Sequence, residues 1–135
     1  MSQRHTADCH ESAVSNAAVA SGPFAATCTS CDVEKTANDP NAILAFYRRH
    51  TSHTTHDITW SRFEPGFELA LPDDADITHV IAALESHYEN GVPIGAISGA
   101  VAEQGLTVGD ALEALYKVRI VGEVYEPRDD HLRTV

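Results

Sequence analysis

Basic residues are scarce in this chain, and lysine is the scarcer of the two basic types. The 135 residues include 20 acidic residues but only 9 basic ones, of which two are lysines, and the formal net charge is −11. This balance argues against a nucleic-acid binder that works by general electrostatic attraction, because such proteins are basic. Acid excess with little lysine is typical of proteins that stay soluble in very high salt. We interpret the chain as salt-adapted, with an ordinary acidic protein as the alternative.

Long apolar runs and cysteines are also in short supply. No stretch approaches the roughly 18 apolar residues of a membrane span, and residues 1–20 lack the continuous apolar core of a secretory signal. The three cysteines are an odd number, with two close together and one far away, which argues against a disulfide framework and for a reduced compartment. We therefore expect a cytoplasmic protein with no membrane partner.

Composition divides the chain into four segments. Residues 1–22 contain few large apolar side chains, which predicts a disordered tail. Residues 23–70 hold most of the aromatics and predict a small zinc-finger-like ββα unit. Residues 71–75 form an acidic linker that is expected to join the units loosely, and residues 76–135 predict a winged helix-turn-helix domain. The predicted fold class is thus α+β.

The first unit contains a candidate metal site. Cys28-x2-Cys31 is followed by histidines at 50, 53 and 56. A helix is expected between the cysteines and the last histidines, with Asp39 as its N-cap and Pro40 as its first residue. Zn²⁺ prefers four thiolate and imidazole ligands in a tetrahedron, and so small a unit gains stability from a metal. The predicted ligands are Cys28, Cys31, His50 and His56.

Two alternatives stay open for this cluster. The pair His53 and His56 could replace His50 and His56 as the imidazole ligands. The cluster could also serve a small metal-dependent or thiol-dependent enzyme, but a catalytic zinc needs an open position and a nearby base. No such base is evident in the sequence, and no βαβ pattern surrounds the cysteines, so a structural, non-catalytic Zn²⁺ is favoured.

The first unit resembles the small single-finger units of proteins from salt-loving archaea. The resemblance depends on the two cysteines, the Asp39-Pro40 helix start, and the stretch from Phe46 to Trp60. It implies a bound metal and little about function. Where many relatives have Thr-Gly-His, this chain has Thr54-Thr55-His56, so the helix ends without the usual glycine.

Periodicity predicts three helices and a β-hairpin in residues 76–135. The helices are expected from Asp76, over 95–104, and over 108–119 with Thr107 as cap. Apolar positions are expected to face inward; in the third helix they are Val108, Leu112, Leu115 and Tyr116. Two short strands, 123–126 and 131–134, follow, with Tyr125 and Leu132 predicted in the core. Three helices and a hairpin in this order are the winged-helix arrangement.

This part of the chain resembles the C-terminal winged-helix domain of archaeal minichromosome maintenance helicases. The similarity is carried by Tyr88-Glu89-Asn90-Gly91-Val92-Pro93-Ile94 and by the stretch from Gly122 to Arg133, Gly-Glu-Val-Tyr-Glu-Pro-Arg-Asp-Asp-His-Leu-Arg. It implies a winged-helix fold and a place in DNA replication. It does not imply helicase activity, because the chain has no Gly-x4-Gly-Lys-Ser/Thr phosphate loop.

The candidate nucleic-acid contacts are Arg119, Arg128 and Arg133. Residues 76–135 contain four basic and ten acidic residues, so their net charge is −6. Isolated surface arginines usually pair with neighbouring acids, and high salt weakens phosphate contacts. We therefore expect weak DNA contact and prefer docking onto a protein of the replication or transcription machinery. The predicted function is a non-enzymatic adaptor or regulator with no small-molecule substrate.

Overall fold

Residues 22–72 and 74–135 are described in this computed structural model. Within these ranges the fold is α+β, with four α-helices and two three-stranded antiparallel sheets. Apart from Gly22, the predicted disordered tail lies outside the described residues. The elements, in chain order, are β1 (Phe24–Cys28), β2 (Val33–Ala37), α1 (Pro40–Thr54), β3 (Thr59–Phe63), α2 (Ile77–Leu84), β4 (Val92–Pro93), α3 (Ile94–Ala100), α4 (Val108–Ile120), β5 (Val124–Arg128) and β6 (His131–Thr134).

The first sheet has the order β2-β1-β3, and α1 crosses from β2 to β3. The predicted start of α1 is confirmed, because the Asp39 side chain accepts a hydrogen bond from the Asn41 N–H at 3.1 Å and Pro40 is the first helical residue. The expected ββα unit gains a third strand, since residues 59–63 pair with β1 on the edge opposite β2.

The second sheet has the order β4-β6-β5, with β4 between α2 and α3 and the β5–β6 hairpin after α4. Helix α2 ends at Leu84 and continues as a short 3₁₀ turn over Glu85–His87. The cap predicted for α4 is present, because Thr107 Oγ1 accepts from the Asp110 N–H and the Asp110 carboxylate accepts from the Thr107 N–H. Among the described helices, none combines the length and apolar character needed to cross a bilayer.

Two tyrosines that were predicted to face inward lie outside instead. Tyr116 is 65% exposed and Tyr125 is 48% exposed, whereas Leu132 is fully buried as predicted. The buried positions of α4 are Val108, Ala111 and Leu115, which places Tyr116 beyond the edge of the buried stripe. In β5 the inward residue is Val124, so its neighbour Tyr125 points to the opposite face.

The prediction that the two units are joined loosely is wrong. Leu44 of α1 is 1% exposed and belongs to the second apolar cluster, whose other members all come from the second unit and include Ile81, Leu84, Ile97 and Leu132. The Trp60 indole N–H donates to Ser98 Oγ at 2.9 Å, and Asn41 Oδ1 accepts from the Gly95 N–H at 2.8 Å. These contacts join α1 and β3 to α3, so the described residues form one packed body.

The composition of residues 71–75 conceals this interface. Leu71 and Ala75 lie outside the helices and strands, but both are partly buried against the second apolar cluster, as is Leu69 just before them. An acidic composition predicts a solvated segment, but alternate apolar residues are enough to hold an extended chain on a core. The boundaries of the predicted units stay a prediction.

Candidate metal centre

The two cysteines lie on a tight turn between β1 and β2. Cys28 ends β1, and its carbonyl oxygen accepts hydrogen bonds from the N–H groups of Cys31 at 3.3 Å and of Asp32 at 2.9 Å. Asp32 has a φ of 55°, in the left-handed region, which turns the chain back into β2. The turn thereby brings both sulfurs to one end of the sheet.

The two imidazoles come from the end of α1. His50 lies in the helix, and His56 follows a C-cap at Thr55 whose φ is 60°. The segment after the helix lacks the usual glycine and is stabilised by two threonines. Thr51 Oγ1 donates to the His56 carbonyl at 2.7 Å, and the His56 N–H donates to Thr54 Oγ1 at 3.1 Å. Side-chain bonds of this kind satisfy backbone groups that the helix end leaves open.

Thr55→Gly is expected to raise the free energy of unfolding by about 0.5–1 kcal/mol. A left-handed backbone costs an L-residue roughly 1–2 kcal/mol, and the greater freedom of glycine in the unfolded chain offsets part of that gain. Thermal or denaturant unfolding measures the difference. Thr55→Ala is the matched control, since it keeps the left-handed strain, and equal gains from both variants would contradict this account.

The four predicted ligand residues converge. Cys31 Sγ lies 3.1 Å from His56 Nδ1 and 3.9 Å from His50 Nε2, while Cys28 Sγ lies 3.6 Å from His56 Nδ1. All four ligand atoms lie within 4.8 Å of one another. Bonds of about 2.0–2.3 Å to a tetrahedral ion imply ligand separations of about 3.3–3.8 Å. The cluster is therefore close enough to hold a metal ion, with His50 offering Nε2 and His56 offering Nδ1.

Burial supports His50 over His53 as the partner of the cysteines. His50 is 1% exposed and its ring packs 5.4 Å from the ring of Phe46, whereas His53 is exposed and outside the cluster. Cys28 is fully buried in the first apolar cluster, whose other members are Phe24, Ala26, Val33, Ile43, Phe46, Ile58 and Val108. Burying a polar imidazole costs free energy unless its nitrogens are satisfied, and a metal does this for one of them.

The three arginines predicted as nucleic-acid contacts do not form one group. Arg119 pairs with Glu126 at 2.9 Å. Arg133 donates to the Glu89 carbonyl at 3.2 Å, and both Arg133 and Arg128 line an open cavity of about 400 Å³ together with Tyr125. Only Arg128 and Arg133 therefore face a common space.

A fourth arginine ties the C-terminal hairpin, formed by β5 and β6, to the first unit. Arg48 of α1 donates to both carboxylate oxygens of Asp130, at 2.9 and 3.0 Å. Hydrogen bonding from Arg48 holds the pKa of the Asp130 carboxyl below its usual range and raises the pKa of the guanidinium. The pair is largely exposed, so its contribution to stability is small.

Sequence analysis missed an exposed apolar face on α4. Tyr116, Ile120 and Val121 are 65%, 62% and 68% exposed. The spacing of Tyr116 and Ile120 places both on one side of the helix, and this signal was available in the sequence. The apolar pattern of α4 also fits a buried Tyr116, and that interpretation hides the exposed face.

Together these features define a small α+β protein with a Cys₂His₂-type cluster beside a helical unit. Residues 25–62 match a protein family described as HVO_B0008 N-terminal, and residues 82–132 match one described as HVO_B0008 C-terminal domain. The first match spans all four cluster residues, and neither description names an activity. Neither the curated proteins nor the solved structures yielded a match.

Proposed function

We propose that the protein is a non-enzymatic adaptor, in which a structural Zn²⁺ stabilises the first unit and the second unit docks onto a partner protein. The metal part of the proposal is supported by the convergence of two cysteines and two histidines, the donor set that Zn²⁺ favours. Four protein ligands leave no open position, which favours a structural over a catalytic ion. An enzyme that uses this cluster remains the alternative.

We propose that residues 76–135 are a winged helix. The order helix, short strand, helix, helix and hairpin supports this, as does the pairing of β4 with β6, which attaches the hairpin to the helices. The similarity to the C-terminal domain of minichromosome maintenance helicases, and with it a role in replication, repair or transcription, stays part of the proposal.

The observation that carries the docking proposal is the exposed apolar face at the end of α4, formed by Tyr116, Ile120 and Val121, the residue that follows the helix. In a winged helix this third helix is the one that reads the major groove in DNA-binding relatives, where its exposed side chains need to be basic or amide. Large apolar side chains in water suit a protein partner better than DNA.

Replacing Ile120 with Glu is expected to abolish partner capture without unfolding the protein. The test is affinity capture from native extract in molar salt, comparing wild-type protein with Ile120→Glu and with Glu103→Gln, an exposed change outside this helix. A charge at the centre of a docking face typically costs more than about 2 kcal/mol of binding. A partner retained equally by all three proteins would refute docking through α4.

Nucleic-acid contact is the second candidate, favoured by the cavity that Arg128 and Arg133 share. Because Arg119 already pairs with Glu126, two phosphate contacts rather than three are expected. The logarithm of the binding constant should then fall with the logarithm of salt with a slope of about 2. Titration of duplex DNA at several salt concentrations measures this slope. Tight, sequence-selective binding that persists in molar salt would overturn the preference for a protein partner.

A further inference from the structure

The residue that follows the last candidate ligand caps the helix with the exposed apolar face. Asp57, next to His56, accepts a hydrogen bond from Thr107 Oγ1 at 2.6 Å through Oδ2 and from the Gly109 N–H at 2.9 Å through Oδ1. Thr107 is the N-cap of α4. A carboxylate at this position satisfies an open N–H group and interacts favourably with the positive end of the helix dipole.

A backbone hydrogen bond and side-chain packing add to the contact between the Asp57 segment and the start of α4. The Val108 N–H donates to the Ile58 carbonyl at 3.0 Å. The Val108 side chain is fully buried in the first apolar cluster, which also contains Cys28 and Ile58. The fit around Asp57 is close, because a Cβ on Gly109 would lie 2.5 Å from Asp57 Oδ2. The first turn of α4 is therefore built into the unit that holds the metal cluster.

The rest of α4 belongs to the other unit. Ala111 and Leu115 are buried in the second apolar cluster, and the exposed apolar face follows over the last turns of the helix. One continuous helix, α4, thus starts beside the residues of the metal cluster and ends at the proposed docking face.

We propose that metal occupancy of the Cys28, Cys31, His50 and His56 cluster fixes the N-terminal turn of α4, the helix that carries the proposed docking face, with Asp57 as the positioning residue. This inference rests on the proposed function. When the ion is bound, His56 is held in place, and Asp57 and Ile58, the next two residues, are held against the helix. When it is lost, the cap and the Val108 contact loosen together. Since such coupling is reciprocal, breaking the bonds from Asp57 to the helix also weakens metal binding.

Amide hydrogen exchange of the full chain tests the coupling. The amides of residues 108–111 report directly, because their hydrogen bonds go to Ile58, Asp57 and Thr107. Removing Zn²⁺ from wild-type protein with a chelator, under reducing conditions, is expected to speed their exchange at least about tenfold. In Asp57→Ala this response to the chelator should shrink by at least about threefold, as the loss of a cap implies.

Asp110→Ala is the matched control, since it removes another cap bond of the same helix at 3.2 Å without touching the cluster. It should speed exchange equally with and without Zn²⁺, leaving the response unchanged. Asp57→Asn, which keeps one oxygen for the Gly109 N–H, replaces the alanine variant if that fails to fold.

Two results would overturn the coupling: exchange at 108–111 that does not respond to metal removal, or a full response in the Asp57 variant that folds. A protein that binds no Zn²⁺ at all gives a different result, visible in the metal content, and contradicts the proposed function itself. The two failures are therefore distinguishable.

Discussion

Cys31→Ser is expected to lower the zinc content from one ion per chain to less than about 0.1 and the melting temperature by more than about 10 °C. A ligand at 1,000 times its dissociation constant stabilises the folded state by about 4 kcal/mol, and each kcal/mol corresponds to a few degrees in a domain of this size. Cys31 is half-buried, so serine fills its place with little packing loss. Metal analysis and thermal unfolding in reductant, with and without chelator, measure both effects.

His53→Ala is the control for the ligand variant, because His53 lies on the same helix end but is exposed and outside the cluster. It should keep one Zn²⁺ and a nearly unchanged melting temperature. Zinc-free wild-type protein, or equal losses in the two variants, would contradict the assignment of the four ligands. Visible absorption of the cobalt-substituted protein adds a check on geometry, since four ligands with two thiolates give a tetrahedral spectrum.

Gly95→Ala is expected to destabilise the protein by about 3 kcal/mol, as severe overpacking does. A Cβ on Gly95 would lie 2.0 Å from the Pro40 carbonyl oxygen and 2.4 Å from its carbon, which are backbone atoms that cannot turn aside. The start of α1 and the start of α3 would have to separate. Denaturant unfolding measures the loss.

The sign of this effect decides whether the two units are packed together. Without the contact, alanine in α3 would stabilise the helix by about 1 kcal/mol relative to glycine, so a gain in stability would refute the interface. Gly105→Ala is the comparison: its φ is 88° and no atom lies near its Cβ position, so only backbone strain of about 1 kcal/mol is expected.

Local signals in the sequence were enough to predict several elements and the composition of the cluster. Asp39 with Pro40, and Thr107 with Asp110, are short-range caps whose hydrogen bonds form within three residues. The Cys-x2-Cys turn is equally local, and the donor types of His50 and His56 indicated its partners before their positions were known.

Contacts between distant segments could not be predicted in the same way. That Gly95 meets Pro40, or that Val108 lies among residues of the first apolar cluster, depends on how two helices pack. The periodicity of a single sequence shows that a helix has an apolar stripe, but it does not show which residues at the border of the stripe are buried. Tyr116 was therefore predicted in the core, although its side chain is exposed. Asp57 was hidden for a related reason, since its partners are about fifty residues away.

The turn of the C-terminal hairpin is held at several points. The Asp130 carbonyl accepts hydrogen bonds from the Ile94 N–H at 2.9 Å and from Asn41 Nδ2 at 3.1 Å, in addition to the two bonds that its carboxylate accepts from Arg48. Because of these bonds, the hairpin is held in one orientation before a partner molecule binds. A molecule that binds the hairpin meets a pre-organised surface and loses little conformational entropy on the protein's side, so its association should resemble rigid-body docking rather than folding upon binding.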